Sequence, residues 1–178
     1  MKISNTYLSD IFIIDLFSFK DNRGEFVKTI HDKTFEENGL VYQFAESFYS
    51  ISNKDVIRGM HFQKPPYDHV KFVYVVSGKI LDVVIDLRMN SITYGKSFQI
   101  ELSEENRKGI YIGKGFAHGF LALEDKSIVE YHTSISQNKE AEAGILYNSF
   151  NFDWPVEFPV VSVRDKEFLS LTEFKTPF

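Results

Sequence analysis

The residues best able to do chemistry fall in four short stretches. Val56–Gly78 (VIRGMHFQKPPYDHVKFVYVVSG) holds Arg58, His61 and Lys71, and Ile110–Leu123 holds His118 between two Gly-Phe pairs. Ile128–Ser134 holds Tyr131, and Val161–Leu171 holds the adjacent Arg164 and Asp165. Histidine titrates near neutrality and suits proton transfer. Lys71 sits inside an apolar run, HVKFVYVV. It either faces solvent at an edge or points into the interior, where an ammonium is costly unless it serves an anion or oxyanion. Taken singly, each residue has a plainer reading: a hydrogen-bonded histidine, an amphipathic strand tyrosine, a surface Arg–Asp pair.

A metal centre is the first alternative. The histidines are His31, His61, His69, His118 and His132, and His61, His69 and His118 could converge in a metal-binding β-barrel. Such sites pair two closely spaced histidines with a nearby glutamate, whereas here Phe62-Gln63 follow His61 and Val70-Lys71 follow His69. A lysine beside a cation is also unfavourable. No metal and no cofactor are expected.

These residues must be positioned by strands. Apolar runs are short and rich in Phe, Tyr, Val and Ile. Strands are expected at Ile11–Phe19, Gly24–Ile30, Tyr42–Ser52, Val70–Val76, Lys79–Leu87, Phe98–Leu102, Gly109–Ile112, Phe116–Leu123 and Ser127–Ser134. Ser77-Gly78 marks a tight hairpin, and the nearly continuous apolar run Val83–Leu87 marks a central strand. A short helix is expected at Phe35–Asn38, with helical turns in Ser162–Phe174. Strands at about 8–12-residue spacing predict an all-β sandwich or barrel.

The chain has 178 residues with 43% hydrophobic content, enough for one core, and a single domain over 1–178 is expected. A net charge of −5 argues against nucleic acid, while leaving room for a local Arg cluster around a small anion. No cysteine is present, so disulfides and Cys nucleophiles are excluded. The N-terminus lacks the pattern of a signal peptide, and no run approaches the ~18 apolar residues of a membrane helix. A cytoplasmic protein with no membrane partner is expected.

Six ordered motifs carry a resemblance. They are Asp21-Asn22-Arg23-Gly24-Glu25-Phe26, Arg58-Gly59-Met60-His61-Phe62-Gln63, Leu81–Arg88 (LDVVIDLR), Gly115–Phe120 (GFAHGF), Asp153-Trp154-Pro155 and Ser162-Val163-Arg164-Asp165. Together they resemble the dTDP-4-dehydrorhamnose 3,5-epimerase family over nearly the whole chain. That resemblance implies a cupin-like jelly-roll barrel with short flanking helices, in a homodimer with an exchanged strand. It implies an isomerase that inverts C3 and C5 of a nucleotide-diphosphate 4-keto sugar, hexose or heptose, for surface polysaccharide biosynthesis. His61 would be the base, oriented by Asp165. Lys71 would sit beside the C4 carbonyl oxygen, Tyr131 would be the acid on the opposite face, and His118 would contact the sugar. Arg23, Arg58 and Arg164 would hold the diphosphate, some from the partner subunit. Phe26, Lys28, Glu46 and Gln63, in or beside the motifs, would complete the substrate contacts.

The chemistry fits these roles. A C4 ketone acidifies the C3 and C5 hydrogens because the carbanion becomes an enolate, whose oxygen needs a positive group. Abstraction needs a base near neutrality, and a carboxylate on the other ring nitrogen fixes its tautomer. Inversion needs a second acid on the opposite face. Two phosphates favour the forked donors of arginine.

Departures from the family pattern cluster where it binds the nucleotide: Lys28, Glu46 and Phe48 on the strand before Arg58, and Gln137 in place of an aromatic residue. A carboxylate at Glu46 suits the paired N–H groups of guanine, so GDP is expected ahead of dTDP, with CDP also open. Competing readings are a single-centre epimerase, a 3,4-ketoisomerase on the same barrel, and a non-catalytic sugar-binding module. The last predicts loss of the base or its carboxylate.

Overall fold

A computed structural model describes all residues, Met1–Phe178. The elements are strands β1 (Lys2–Asn5), β2 (Ile11–Asp15), β3 (Phe17–Asp21) and β4 (Gly24–Lys28), helix α1 (Asp32–Glu37), then β5 (Glu46–Ser52) and β6 (Val56–Gln63). There follow β7 (Lys71–Ser77), β8 (Lys79–Asp86), β9 (Ser97–Ser103), β10 (Lys108–Ile112), β11 (Phe116–Ala122), β12 (Ser127–Thr133), β13 (Glu142–Gly144), β14 (Val160–Val161) and helix α2 (Val163–Lys166). One sheet runs β1-β2-β10-β7-β12-β5, and the second runs β13-β6-β11-β8-β9 with β14 beside β6. All pairings are antiparallel except β14–β6. No helix is long and apolar enough to cross a membrane.

The two sheets face each other across a core supplied by alternate residues of both. Val73, Val75, Ile110, Ile112 and Val129 of the first sheet meet Ile80, Val84, Leu102, Phe116 and Phe120 of the second. This is the double-sheet packing of a jelly roll. The outer faces are covered too. Phe72 and Tyr111 lie under α1 residue Phe35, while Val83, Ile85 and Leu87 lie under the C-terminal segment carrying Phe174 and Phe178. Strands buried on both faces read as continuous apolar runs, which is why Val83–Leu87 does so. It lies in β8 and beyond, an interior strand between β11 and β9.

The Ser77-Gly78 hairpin is present, with Gly78 at φ +80°. Two expected elements are corrected. Ile11–Phe19 is two strands, because Leu16 turns inward, donating its N–H to Arg107 O and packing with Phe35, so that β3 leaves the sheet. Only Glu46–Ser52 of Tyr42–Ser52 pairs as a strand, since Tyr42 and Phe44 instead pack on the outer cluster around Phe72. The helical turns expected in Ser162–Phe174 are present as α2, four residues long, and a turn in which Phe174 N–H donates to Ser170 O. Strands β3 and β4 form a separate two-stranded hairpin whose Phe17, Phe19 and Phe26 side chains are exposed.

Candidate active site

A cavity of about 1040 Å³ opens between the two sheets, large enough for a nucleotide sugar. The first sheet contributes Lys71 from β7, Tyr131 and Thr133 from β12, and Glu46, Phe48 and Ser50 from β5. The second contributes Arg58 and His61 from β6 and His118 from β11. Side chains three apart on a regular strand face opposite sides, so Arg58 and His61 would normally diverge. A register shift resolves this: His118 pairs with His61 while Phe120 pairs with Arg58. The bulge is made possible by Gly59 and Gly119. A Cβ on Gly119 would lie 2.6 Å from Met60 Sδ and 2.7 Å from Arg58 O.

His61 is backed by Asp165, with Nε2 2.8 Å from Oδ1. Asp165 is placed by its own helix start. Ser162 caps α2 by accepting the Asp165 N–H at 3.1 Å, which leaves the carboxylate free to turn toward β6. Gly59 N–H donates to Oδ2 and Arg164 Nε donates to Oδ1, both at 3.2 Å. Burial alone would raise the Asp165 pKa, but these donors, His61 foremost, bring it down to about 2. Arg164 Nη2 also lies 3.0 Å from His61 Nε2. Both contacts cannot be hydrogen bonds, because a guanidinium only donates and a carboxylate only accepts. The anionic acceptor prevails, so Nε2 carries the proton and Nδ1, which makes no protein hydrogen bond, is the free basic nitrogen. Burial lowers the His61 pKa, the Asp165 bond offsets this in part, and Lys71 and Arg164 lower it further. The imidazole is therefore neutral at physiological pH and competent as a base.

Tyr131 faces the cavity from the other sheet. Its ring stacks on Phe48 (centroids 4.9 Å apart, planes 16°) and meets His118 edge-on at 6.3 Å. Its hydroxyl is 3.2 Å from Ser50 Oγ. Burial pushes its pKa up, which keeps the phenol protonated. Lys71 points inward, donating from Nζ to His61 O at 3.2 Å. Burial lowers its pKa to about 8, against the opposing effect of Asp82 and then Glu142. Asp82 also holds His118, with Oδ2 2.7 Å from Nε2, and both side chains are buried.

The structure therefore brings His61, Lys71, His118, Tyr131, Arg58, Arg164, Asp165, Glu46 and Gln63 to one place, Asp165 from behind the wall. It does not bring Arg23, Phe26 and Lys28 there. They lie on the β3–β4 hairpin, where Arg23 pairs with Asp21 and Phe26 is exposed, outside this chain's cavity. Gln63 lines the cavity with its amide already engaged by the protein. Its amide donates to Tyr67 O and His69 Nδ1, each at 2.9 Å, and accepts Asn138 N–H at 2.6 Å. Sequence reasoning missed Asp82, Ser50 and Thr133. Asp82 was legible in principle as an acidic residue inside an apolar interior strand. No three His, Asp or Glu side chains converge in a metal-binding group.

A cupin-like jelly roll whose inter-sheet cavity holds a carboxylate-backed imidazole, a protonated phenol and a buried lysine defines a class: barrels built for proton transfer on a small polar ligand. The chain belongs to the dTDP-4-dehydrorhamnose 3,5-epimerase family, whose model matches residues 5–173. It is 39% identical over 168 residues to the dTDP-4-dehydrorhamnose 3,5-epimerase of Shigella flexneri, covering 93% of each chain. It is likewise 39% identical over 173 residues to that of Methanothermobacter thermautotrophicus, covering 94% of this chain and 93% of the relative. Among solved structures it is similar to the Legionella pneumophila dTDP-6-deoxy-D-glucose-3,5-epimerase in complex with dTDP-4-keto-L-rhamnose. That likeness has TM-score 0.93 and 32% identity over 98% of this chain and 94% of that one.

Proposed function

We propose that this protein inverts C3 and C5 of a nucleotide-diphosphate 4-keto sugar by proton abstraction and return, acting as a single domain. The observation that supports this most is the entry of His61 and Tyr131 into one cavity from opposing sheets. His61 Nδ1 takes the proton from the carbon beside the ketone. The C–H electron pair moves onto the C4 oxygen, and the enolate is stabilised by the Lys71 ammonium. Tyr131 then delivers a proton to the opposite face of that carbon, giving the inverted centre. The proton on His61 and the deficit on the phenolate are made good through solvent, and the cycle repeats at the second carbon. A retained acid opposite the base favours inversion over isomerisation between C3 and C4.

Arg58 and Arg164 line the same cavity and suit the diphosphate. For the nucleotide, dTDP is the carrier we favour over GDP. One oxygen of Glu46 is already engaged by the Gln137 N–H at 3.1 Å, which leaves it less able to grip both N–H groups of guanine. The relatives named above, dTDP-sugar enzymes, weigh the same way.

The β3–β4 hairpin supports a homodimer. Three exposed phenylalanines and Arg23 stand away from their own barrel, while edge strand β5 exposes Phe48, Tyr49 and Ile51 beside the cavity. Exchange of the hairpin between subunits would cover both surfaces and carry Arg23, Phe26 and Lys28 to the partner's cavity.

The test is hydrogen exchange. In heavy water the protein should wash deuterium into C3 and C5 of dTDP-4-keto-L-rhamnose. His61→Ala should abolish this, and Asp165→Asn should slow it by about 10²–10⁴-fold. Undiminished exchange in folded His61→Ala would remove the proposed base.

A further inference from the structure

The β3–β4 hairpin has two unlike faces. Residues paired across an antiparallel ladder share a face, and neighbours along a strand alternate. Phe17 pairs with Lys28 and Phe19 with Phe26, which puts these four on one face. Ser18 pairs with Val27 and Lys20 with Glu25, which puts those four on the other. The phenylalanines of the first face are exposed. The second face lies on the chain's own barrel: Val27 packs against the outer cluster around Phe35 and Phe72, and Glu25 reaches Arg107.

Arg107 grips the hairpin twice. Its carbonyl accepts the Leu16 N–H at 2.9 Å, where the chain leaves β2 for β3. Its side chain crosses to β4, where Nη2 pairs with Glu25 Oε2 at 2.5 Å. Each of the two side chains is 24% exposed, so the pair is partly shielded from solvent and salt. Glu25 is the one hydrogen-bond partner of that guanidinium, whose Nε is buried and unpartnered. The bond to Arg107, before any other influence, holds the Glu25 carboxyl below its usual range, so both partners are charged at neutral pH. The footing of the grip is itself fixed. Arg107 lies in the turn between β9 and β10, where Asn106 Oδ1 accepts the N–H groups of Ser103 and Lys108, each at 3.1 Å.

Beyond this grip the hairpin is a lever. The five residues of β3 span about 17 Å, so a swing of about 10° at Leu16 would move the Arg23 turn by about 3 Å. Hydrogen-bond lengths vary by only about 0.5 Å.

We infer that the Glu25–Arg107 pair is a positioning device, fixing the angle at which the hairpin leaves its own barrel and so aiming Arg23, Phe26 and Lys28 into the partner subunit's cavity. This rests on the exchanged homodimer proposed above and extends it. Neither Glu25 nor Arg107 belongs to the cavity wall. They act on the ligand only through the arm they hold.

The experiment measures dTDP affinity by calorimetry, and deuterium uptake into dTDP-4-keto-L-rhamnose, for wild type, Glu25→Gln, Arg107→Gln and the double variant. Circular dichroism checks folding and light scattering checks assembly. Each single variant should weaken dTDP binding about 2–5-fold and raise KM alike with kcat unchanged, and the double variant should lose no more than either single. A bare change of charge would act otherwise. Losing an anion would strengthen the binding of an anionic ligand, and losing a cation would weaken it. Opposite effects of the two variants therefore overturn the inference, as do wild-type affinity in a dimeric Glu25→Gln protein and additive losses in the double variant. Variants that fall apart into monomers overturn it too, because the pair would then serve assembly and not aim. All these outcomes leave the homodimer standing. A monomeric wild type defeats the homodimer and the inference with it. A dimeric wild type that takes dTDP without exchange defeats the epimerase reading alone, since affinity still decides; one that takes no dTDP overturns the inference. Should Arg107→Gln fail to fold, Glu25→Gln decides, because it exchanges a carboxylate for an amide of the same size.

Discussion

His61 and His118 stand directly opposite each other in the β6–β11 ladder, and each is held through Nε2 by an aspartate from elsewhere in the chain. The two pairs differ in exposure. The His61 side chain is 30% exposed, while that of His118 is 5% exposed over a fully buried Asp82. Only His61 has the access a base needs. His118 packs edge-on against Tyr131 and belongs to the wall of the cavity.

The acid and the base should be separable by substitution. In Tyr131→Phe the His61–Asp165 pair is untouched, so the first carbon should still exchange its hydrogen with heavy water at a measurable rate. Completion of inversion should fall by about 10²–10⁴-fold. NMR of deuterium incorporation against chromatography of product measures the two separately, and an equal loss of both would count against the phenol as proton donor.

Activity should be bell-shaped in pH. The base works only when unprotonated. Burial, partly offset by Asp165, holds the His61 pKa below its usual 6.5, so kcat/KM should fall only on the acid side of that value. The oxyanion partner works only when protonated, so an alkaline fall should set in near pH 8, where Lys71 loses its proton. Lys71→Arg replaces that group by one charged throughout the range and should remove the alkaline limb. An unchanged limb in a folded Lys71→Arg protein would assign it to another group.

The bulge beneath the site should tolerate no added methyl. In Gly119→Ala the new Cβ would press on Arg58 O and Gly59 Cα, backbone atoms that cannot swing aside. A destabilisation of about 1–3 kcal/mol is expected, with slower turnover because Arg58 and His61 lose their shared orientation. Chemical denaturation at wild-type stability would show that the two strands yield more easily.

Most of the strands and the all-β class were readable from apolar runs and turn residues, but β6 (Val56–Gln63), which carries Arg58 and His61, was not among the expected strands. Nor was the Leu16 break readable. Ile11–Phe19 (IFIIDLFSF) is mostly apolar, with Asp15 and Ser18 its polar residues, and the outward departure of β3 separates two strands there. For the site, Lys71 announced itself as a charge within an apolar run, while Asp165 read alone as half of a surface charge pair and was singled out only through the Ser162-Val163-Arg164-Asp165 motif. The hydrogen-bond partners of Gln63 and Asp82 were not readable, for different reasons. The Gln63 amide is consumed by loops at Tyr67 and Asn138 whose approach no local pattern predicts. Asp82 faces His118 only through strand pairing across 36 positions. The β3–β4 hairpin residues Arg23, Phe26 and Lys28 need a second subunit to reach any cavity, and a single chain's sequence does not say whose cavity that is.

The carboxylate of Asp165 follows its imidazole by 104 positions along the chain. During synthesis on the ribosome, both sheets can therefore emerge and pair before the base has its counter-ion. The chain acquires its carboxylate-backed imidazole only when its last stretch docks beneath β6. A nick between β13 and α2 would spare most of the barrel and silence the chemistry, so an intact scaffold is no measure of an intact enzyme.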